Sequence, residues 1–300
     1  MMVMKIVLVV VLCVIVFSGM ASANFLDWFR DIRLSPNQPK NVSVSIVGVQ
    51  PVTIIIHNQT LIGIIPNQNT FLNINFPVTM IDPNGANDLN DSSVQANFSR
   101  SGEITRKNDS CSLISGQNTA LSKNYSCSIS MWYFDGAGDW SIEVVGRDIG
   151  NGTIISNTSS FSYGSLKSIE VSSEEITFPA LIPGATNVNA NNDPTFINNT
   201  GNWGGALNVR GVDLYAHPGQ PVPSAFFGVG NFSISHISGN ECIGTALQNA
   251  TDKSSTNINR GNVSAGFGQT NVSYCITGVP SSLPAQQYST ASGGSWLINI

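Results

Sequence analysis

Charge is scarce in this chain: Asp, Glu, Lys and Arg together make up 10% of its 300 residues. No basic run occurs, which removes the electrostatic footprint of a nucleic-acid or anionic-membrane partner. Histidine is equally rare; His57, His217 and His236 fall in separate segments, none at metal-ligand spacing. There is no Cys-x-x-Cys pair, no Gly-x-Ser-x-Gly elbow and no phosphate-cradling glycine loop. His217 has abundant serines for company but no nucleophile context. Glu174 and Glu175 are expected on opposite faces of a strand, the wrong arrangement for paired-carboxylate chemistry. Beyond the N-terminus no segment sustains a 3.6-residue apolar period over four turns. These absences predict a β-rich protein that is not an enzyme.

What is present begins with a leader. Lys5 is followed by an unbroken apolar run over residues 6–17, then by Ala21-Ser22-Ala23. Residues 1–23 read as a secretory signal peptide cut before Asn24. The alternative is an uncleaved anchor, for which the run is short against the roughly 20 residues that span a bilayer core. Cys13, inside the run, lacks the preceding small residue of a lipoprotein-type cleavage site. Cutting removes 23 of 300 residues and leaves 277, enough for two domains of the usual size. Lys5 leaves with it, so 12 basic residues face 18 acidic ones, a net charge of −6.

Four cysteines then remain: Cys111, Cys127, Cys242 and Cys275. An even number in an exported chain predicts disulfides, with three connectivities open. Proximity favours Cys111–Cys127 and Cys242–Cys275, each contributing roughly 3–4 kcal/mol in the chain-entropy model. A metal site is the alternative, and no Cys/His cluster supports it. Asn-x-Ser/Thr sequons stand at Asn41, Asn58, Asn90, Asn97, Asn108, Asn124, Asn151, Asn157, Asn198, Asn231, Asn249, Asn262 and Asn271. That is about twice the roughly six expected from composition, and it predicts an exported glycoprotein with these asparagines on its surface.

In residues 24–33, Phe25, Trp28, Phe29 and Ile32 fall at helical spacing, and a Pro-rich linker follows to residue 40. This short amphipathic segment can dock on the first domain, lie on a membrane surface or engage a neighbouring subunit; it is the one expected membrane contact. From Asn41 the pattern alternates with period two: residues 42–47, 71–76, 126–134 and 140–145 read as half-buried strands. Residues 54–56 and 61–65 are denser apolar runs, read as strands covered on both faces, the second able to pair with a neighbouring chain if it lies at an edge. Asp135-Gly136-Ala137-Gly138-Asp139 reads as a hairpin loop in which the glycines supply any positive φ. The fold class is all-β: two tandem β-sandwich domains, 41–167 and 168–300, after the signal peptide and linker.

The stretch Phe76-Pro77-Val78-Thr79-Met80-Ile81-Asp82-Pro83-Asn84-Gly85, with Asp88-Leu89 after it, resembles the repeating Ig-like modules of archaeal and bacterial surface proteins. So does the Trp-strand pattern from Met131 to Trp140, closing on Arg147-Asp148-Ile149-Gly150. In the second half, Ile176 to Gly184 resembles the opening strand and turn of a further surface sandwich, and Phe196 to Asn202 a strand leading into a Thr-Gly-Asn turn. Val209 to Leu214 and the closing stretches Leu283 to Tyr288 and Trp296 to Ile300 complete that likeness. The resemblance implies a cell-envelope or S-layer-associated building block, with other envelope proteins, glycans or further copies of itself as partners.

Asp82, Asn84 and Asp88, with Asp91 nearby, offer hard oxygens around Gly85 in a loose echo of a calcium loop; an Asp/Asn/Gly turn held by side-chain-to-backbone bonds is the alternative. No other cofactor is expected. Trp132, Trp140 and Trp203 are candidates for a sugar platform; at least one of the first two is expected in the core, and Trp203, in a glycine-rich loop, is the better contact. The expected role is that of a secreted or cell-surface structural or adhesive glycoprotein, with a carbohydrate- or calcium-dependent binding module as the alternative.

Overall fold

The computed structural model describes residues 52–149, 154–237 and 241–300. The leader, the 24–40 segment, the strand expected at 42–47 and the sequons Asn41 and Asn151 lie outside these residues. The described chain is all-β, with antiparallel sheets and single-turn 3-10 helices. Among the described residues no helix is long and apolar enough to cross a membrane.

The first half contributes β1 (Thr53–Ile56), β2 (Phe71–Ile81), β3 (Gln95–Ser99), β4 (Arg106–Asn108), β5 (Ser112–Leu113), β6 (Ser122–Trp132), β7 (Gly138–Arg147) and β8 (Ile154–Tyr163). They form two four-stranded sheets, ordered β1-β2-β6-β5 and β4-β3-β7-β8. The alternation read from sequence is the packing pattern here. In β2, Ile74, Phe76, Val78 and Met80 point inward, and in β7 Trp140, Ile142 and Val144 meet them from the other sheet. Trp140 is fully buried and Trp132 is 38% exposed, as opposite phases of the alternation require.

Three local expectations are corrected. Residues 61–65 form no strand: Gly63 takes a left-handed φ of 67°, which breaks the extended run and leaves Ile62 and Ile65 exposed. β1 is covered on one face only, since Ile55 is exposed between buried Ile54 and Ile56. The loop from Tyr133 to Ala137 is an arch, not a hairpin, because β6 pairs with β2 and β5 while β7 pairs with β3 and β8. Period two reports which side chains face inward and is silent on which strand is the partner.

The second half contributes β9 (Ile169–Val171), β10 (Val188–Asn189), β11 (Thr195–Asn199), β12 (Gly205–Gly211), β13 (Leu214–Ala216), β14 (Phe226–Phe227), β15 (Phe232–Ser235), β16 (Thr245–Ala246), β17 (Thr251–Ile258), β18 (Gly268–Ile276), β19 (Tyr288–Ser289) and β20 (Leu297–Asn299). Its largest sheet runs β16-β15-β18-β11-β9, with β10 also on β18; smaller sheets run β17-β12-β20 and β14-β13-β19. A second core gathers Ile197, Leu207, Val209, Phe232, Ile234, Val272 and Tyr274. The opening strand expected at 176–184 is irregular chain, as is the Glu174-Glu175 pair before it. Pro179 and Pro183 cannot donate to a ladder, so Ile176, Phe178 and Leu181 pack on the core without strand pairing.

Although the cores are separate, all described residues fall in one compact unit. The junction is polar and specific. Buried Asn202 donates from Nδ2 to the carbonyls of Asp135 (3.0 Å) and Gly164 (2.8 Å), and its Oδ1 accepts from the Leu166 N–H at 2.6 Å. Arg260 reaches back to the Phe134 carbonyl (3.1 Å) and the Glu103 carboxylate (2.6 Å). The Asn69 N–H donates to the Thr200 carbonyl at 3.0 Å. Gly201 makes the turn feasible, since a Cβ there would lie 2.2 Å from the Leu166 carbonyl oxygen.

Candidate metal centre

The clearest cluster of ligating side chains sits where the chain leaves β2. Asp82 follows the last residue of that strand and is wholly buried; Asp88 closes the 3-10 turn Ala86–Asp88; Asp148 follows β7 and is also buried. One carboxylate oxygen from each lies within 4.8 Å of the others. Backbone bonds set this convergence. The Asp82 N–H donates to the Leu121 carbonyl (2.8 Å), Ala86 to Ala120 (2.9 Å) and Ile149 to Asp88 (2.6 Å), while Leu89 bridges Asp148.

Two of the three residues expected from sequence are therefore brought together. Asn84 is exposed, and its backbone N–H donates to Asp82 Oδ1 at 2.8 Å, the local turn contact. The third carboxylate, Asp148, was visible only as part of an Asp-x-Gly turn, because its proximity depends on the pairing of distant segments. Asp91 serves elsewhere: its Oδ1 accepts from Lys123 Nζ (2.8 Å) and the Tyr125 hydroxyl (2.7 Å). Burial pushes the Asp91 carboxyl up, but those hydrogen bonds and the Lys123 charge outweigh it and hold the group below its ordinary range. Burial, then the neighbouring Asp91 carboxylate, raises the Tyr125 phenol well above its usual value, so it stays a hydrogen-bond donor.

The cysteines pair as proximity favours. Cys111, the residue before β5, joins Cys127 on β6, and Cys242 joins Cys275 on β18. Two disulfides suggest an oxidising, extracellular environment. None of the sequon asparagines among the described residues is buried. Asn249 and Asn262 are exposed with Oδ1 accepting backbone N–H bonds. Asn58, Asn108, Asn124, Asn157 and Asn231 each donate Nδ2, the glycan-bearing nitrogen, to a protein carbonyl. Asn90 caps its own turn, Asn198 accepts from Gln269, and Asn97 and Asn271 lie half-buried on β3 and β18.

Trp203 is half-buried at the junction, with its ring against Gly205 and the Lys167 ammonium 4.0 Å from its centre. The more accessible aromatic surface is Trp132 with its cross-strand neighbour Phe71, ring centres 5.5 Å apart, the latter 44% exposed. Sequence reasoning passed over Phe71, although its outward phase in β2 was readable. His57 bonds Thr79, and His217 Nδ1 lies 2.9 Å from Ser289 Oγ. That serine oxygen also accepts from the Ala291 N–H as a turn cap. Among the described residues no carboxylate hydrogen-bonds His217. A cleft of about 1030 Å³ lies under the irregular segment before β10, lined by Phe178, Leu181, Phe232, Tyr288 and Trp296. No protein-family model and no curated protein matches this chain.

Proposed function

We propose that this protein is an exported cell-surface component, structural or adhesive, that acts through non-catalytic contacts. The observation that carries the reading is the pair of disulfides, one in each half, a device that persists outside the reducing cytosol. The junction supports it too. A presenting unit must keep its contact surfaces at fixed separation, and the buried Asn202 and the Arg260 contacts bind one core to the other. Unburied sequons fit a glycoprotein, with Asn249 and Asn262 the most available acceptors. Partners would be envelope proteins, glycans or further copies, as the resemblance to Ig-like S-layer-associated modules implies.

Intact mass of protein from its native source, before and after reduction and deglycosylation, tests this. The expected result is a start at Asn24, two disulfides and removable glycan mass, with Asn249→Gln and Asn262→Gln each losing one glycan increment. Full-length, unglycosylated protein with free thiols would overturn it.

The exposed Phe71–Trp132 pair favours glycan binding as a second reading, because an accessible aromatic face is the ordinary platform for a sugar ring. On a glycan array Trp132→Ala is expected to lose signal that Trp203→Ala retains. Absence of signal from the parent protein removes this reading.

A further inference from the structure

We propose that Asp82, Asp88 and Asp148 form a calcium site that clamps the two sheets of the first sandwich together. The inference goes beyond the surface role and stands independently of it.

Acidic side chains often cluster at turns without binding anything. Here a second observation separates the cluster from that background: Asp82 Oδ2 is buried and has no hydrogen-bond partner. Its sister oxygen takes the Asn84 N–H. A buried carboxylate oxygen without a donor is costly, and two further carboxylates beside it add like-charge repulsion. A cation at their centre answers both.

Lys123, whose Nζ reaches the Leu89 carbonyl next to Asp88, directs its charge to Asp91. All three ligands are hard carboxylate oxygens, which select calcium, magnesium or manganese over softer metals. Coordination geometry favours calcium. One carboxylate oxygen from each residue lies within 4.8 Å of the others, close enough for a shared ion. Calcium tolerates irregular shells of roughly six to eight oxygens at about 2.3–2.6 Å, whereas magnesium at about 2.1 Å demands near-ideal octahedral geometry. Waters and backbone carbonyls would complete the irregular shell that calcium accepts.

Topology says what the ion does. Asp82 directly follows β2 of one sheet, Asp88 lies on the crossover to β3, and Asp148 directly follows β7 of the other sheet. These are the ends of β2 and β7 opposite those that face Asn69 and the Asp135 arch. The ion would thus fasten one end of the sandwich while the polar junction fastens the other.

The test uses the whole protein, freed of metal by chelation, and calcium chloride alone. Calorimetric titration should show one saturable site with a dissociation constant on the order of 10⁻⁴–10⁻³ M, the range of extracellular modules. The unfolding temperature should rise as calcium passes that value, and less in equal magnesium. Asp88→Asn and Asp148→Asn should lose both responses; Asp139→Asn, at the other end of β7, should keep them. Asp88 is partly exposed at a turn, so its variant keeps the fold even where Asp82→Asn does not, and circular dichroism checks this. No binding heat and no thermal shift up to about 10 mM calcium, well above that range, overturn the proposal. So does unchanged calcium binding in the Asp88 and Asp148 variants.

Discussion

Replacing Asp135 by alanine is expected to lower the unfolding free energy by about 3–5 kcal/mol, the cost of leaving a buried partner charge unpaired. Asp135 sits in the arch between β6 and β7 with its side chain 4% exposed, and its carboxylate receives the Arg106 guanidinium through Nε and Nη2. Its Oδ2 also accepts the Trp132 N–H at 2.7 Å, which shapes the arch. Arg106 is itself 12% exposed and lies over the Phe134 ring, so solvent cannot take over the lost contact. The Asp135 carbonyl further receives Asn202 from the second half. Loss of the arch should therefore be felt in both cores. Urea unfolding monitored by tryptophan fluorescence measures the effect, with Trp140 in one core and Trp296 packed on the other. In an Arg106→Met background the same substitution should cost much less, because no guanidinium is stranded. A loss below about 1 kcal/mol in the parent would place the pair with exposed salt bridges and refute the argument.

Reduction of the two disulfides should cost a comparable amount at each. The closed loops span 16 and 33 residues, which in the chain-entropy account correspond to roughly 3–4 kcal/mol apiece. For a chain of this size the combined loss lowers the unfolding temperature by on the order of 10–30 °C. Scanning calorimetry with and without reductant measures it, with mass spectrometry confirming four free thiols. The two bridges should differ when removed by Cys→Ala pairs. Cys111 and Cys127 are both buried in the first core, so their removal adds a packing loss to the entropy term. Cys275 is buried but Cys242 is only half-buried, so this pair should lose less packing and act more through the longer loop. An unchanged transition in fully reduced protein would contradict both expectations.

By itself, the sequence determined the elements that depend on neighbours along the chain. Period two placed β2, β6 and β7 with the correct face inward, because alternate side chains of any strand leave on opposite sides. It predicted the cysteine pairing, since short separations favour closure. Density of apolar residues was a poorer guide: residues 61–65 and 176–184 are rich in them, yet a left-handed Gly63 in one and two prolines in the other deny them ladder bonds. Tertiary structure alone decided partnership. It turned the expected Asp135 hairpin into an arch, because pairing is chosen by the whole sheet and not by the loop. It moved the accessible aromatic surface from Trp203 to Trp132 and Phe71, because Lys167 and Gly205 cover the former. It also brought Asp148 beside Asp82 and Asp88 across some sixty residues of chain, through the backbone bonds that join Leu89 and Ile149 to their partners. Local spacing carries local geometry; convergence of distant side chains depends on a free-energy minimum that only the folded whole defines.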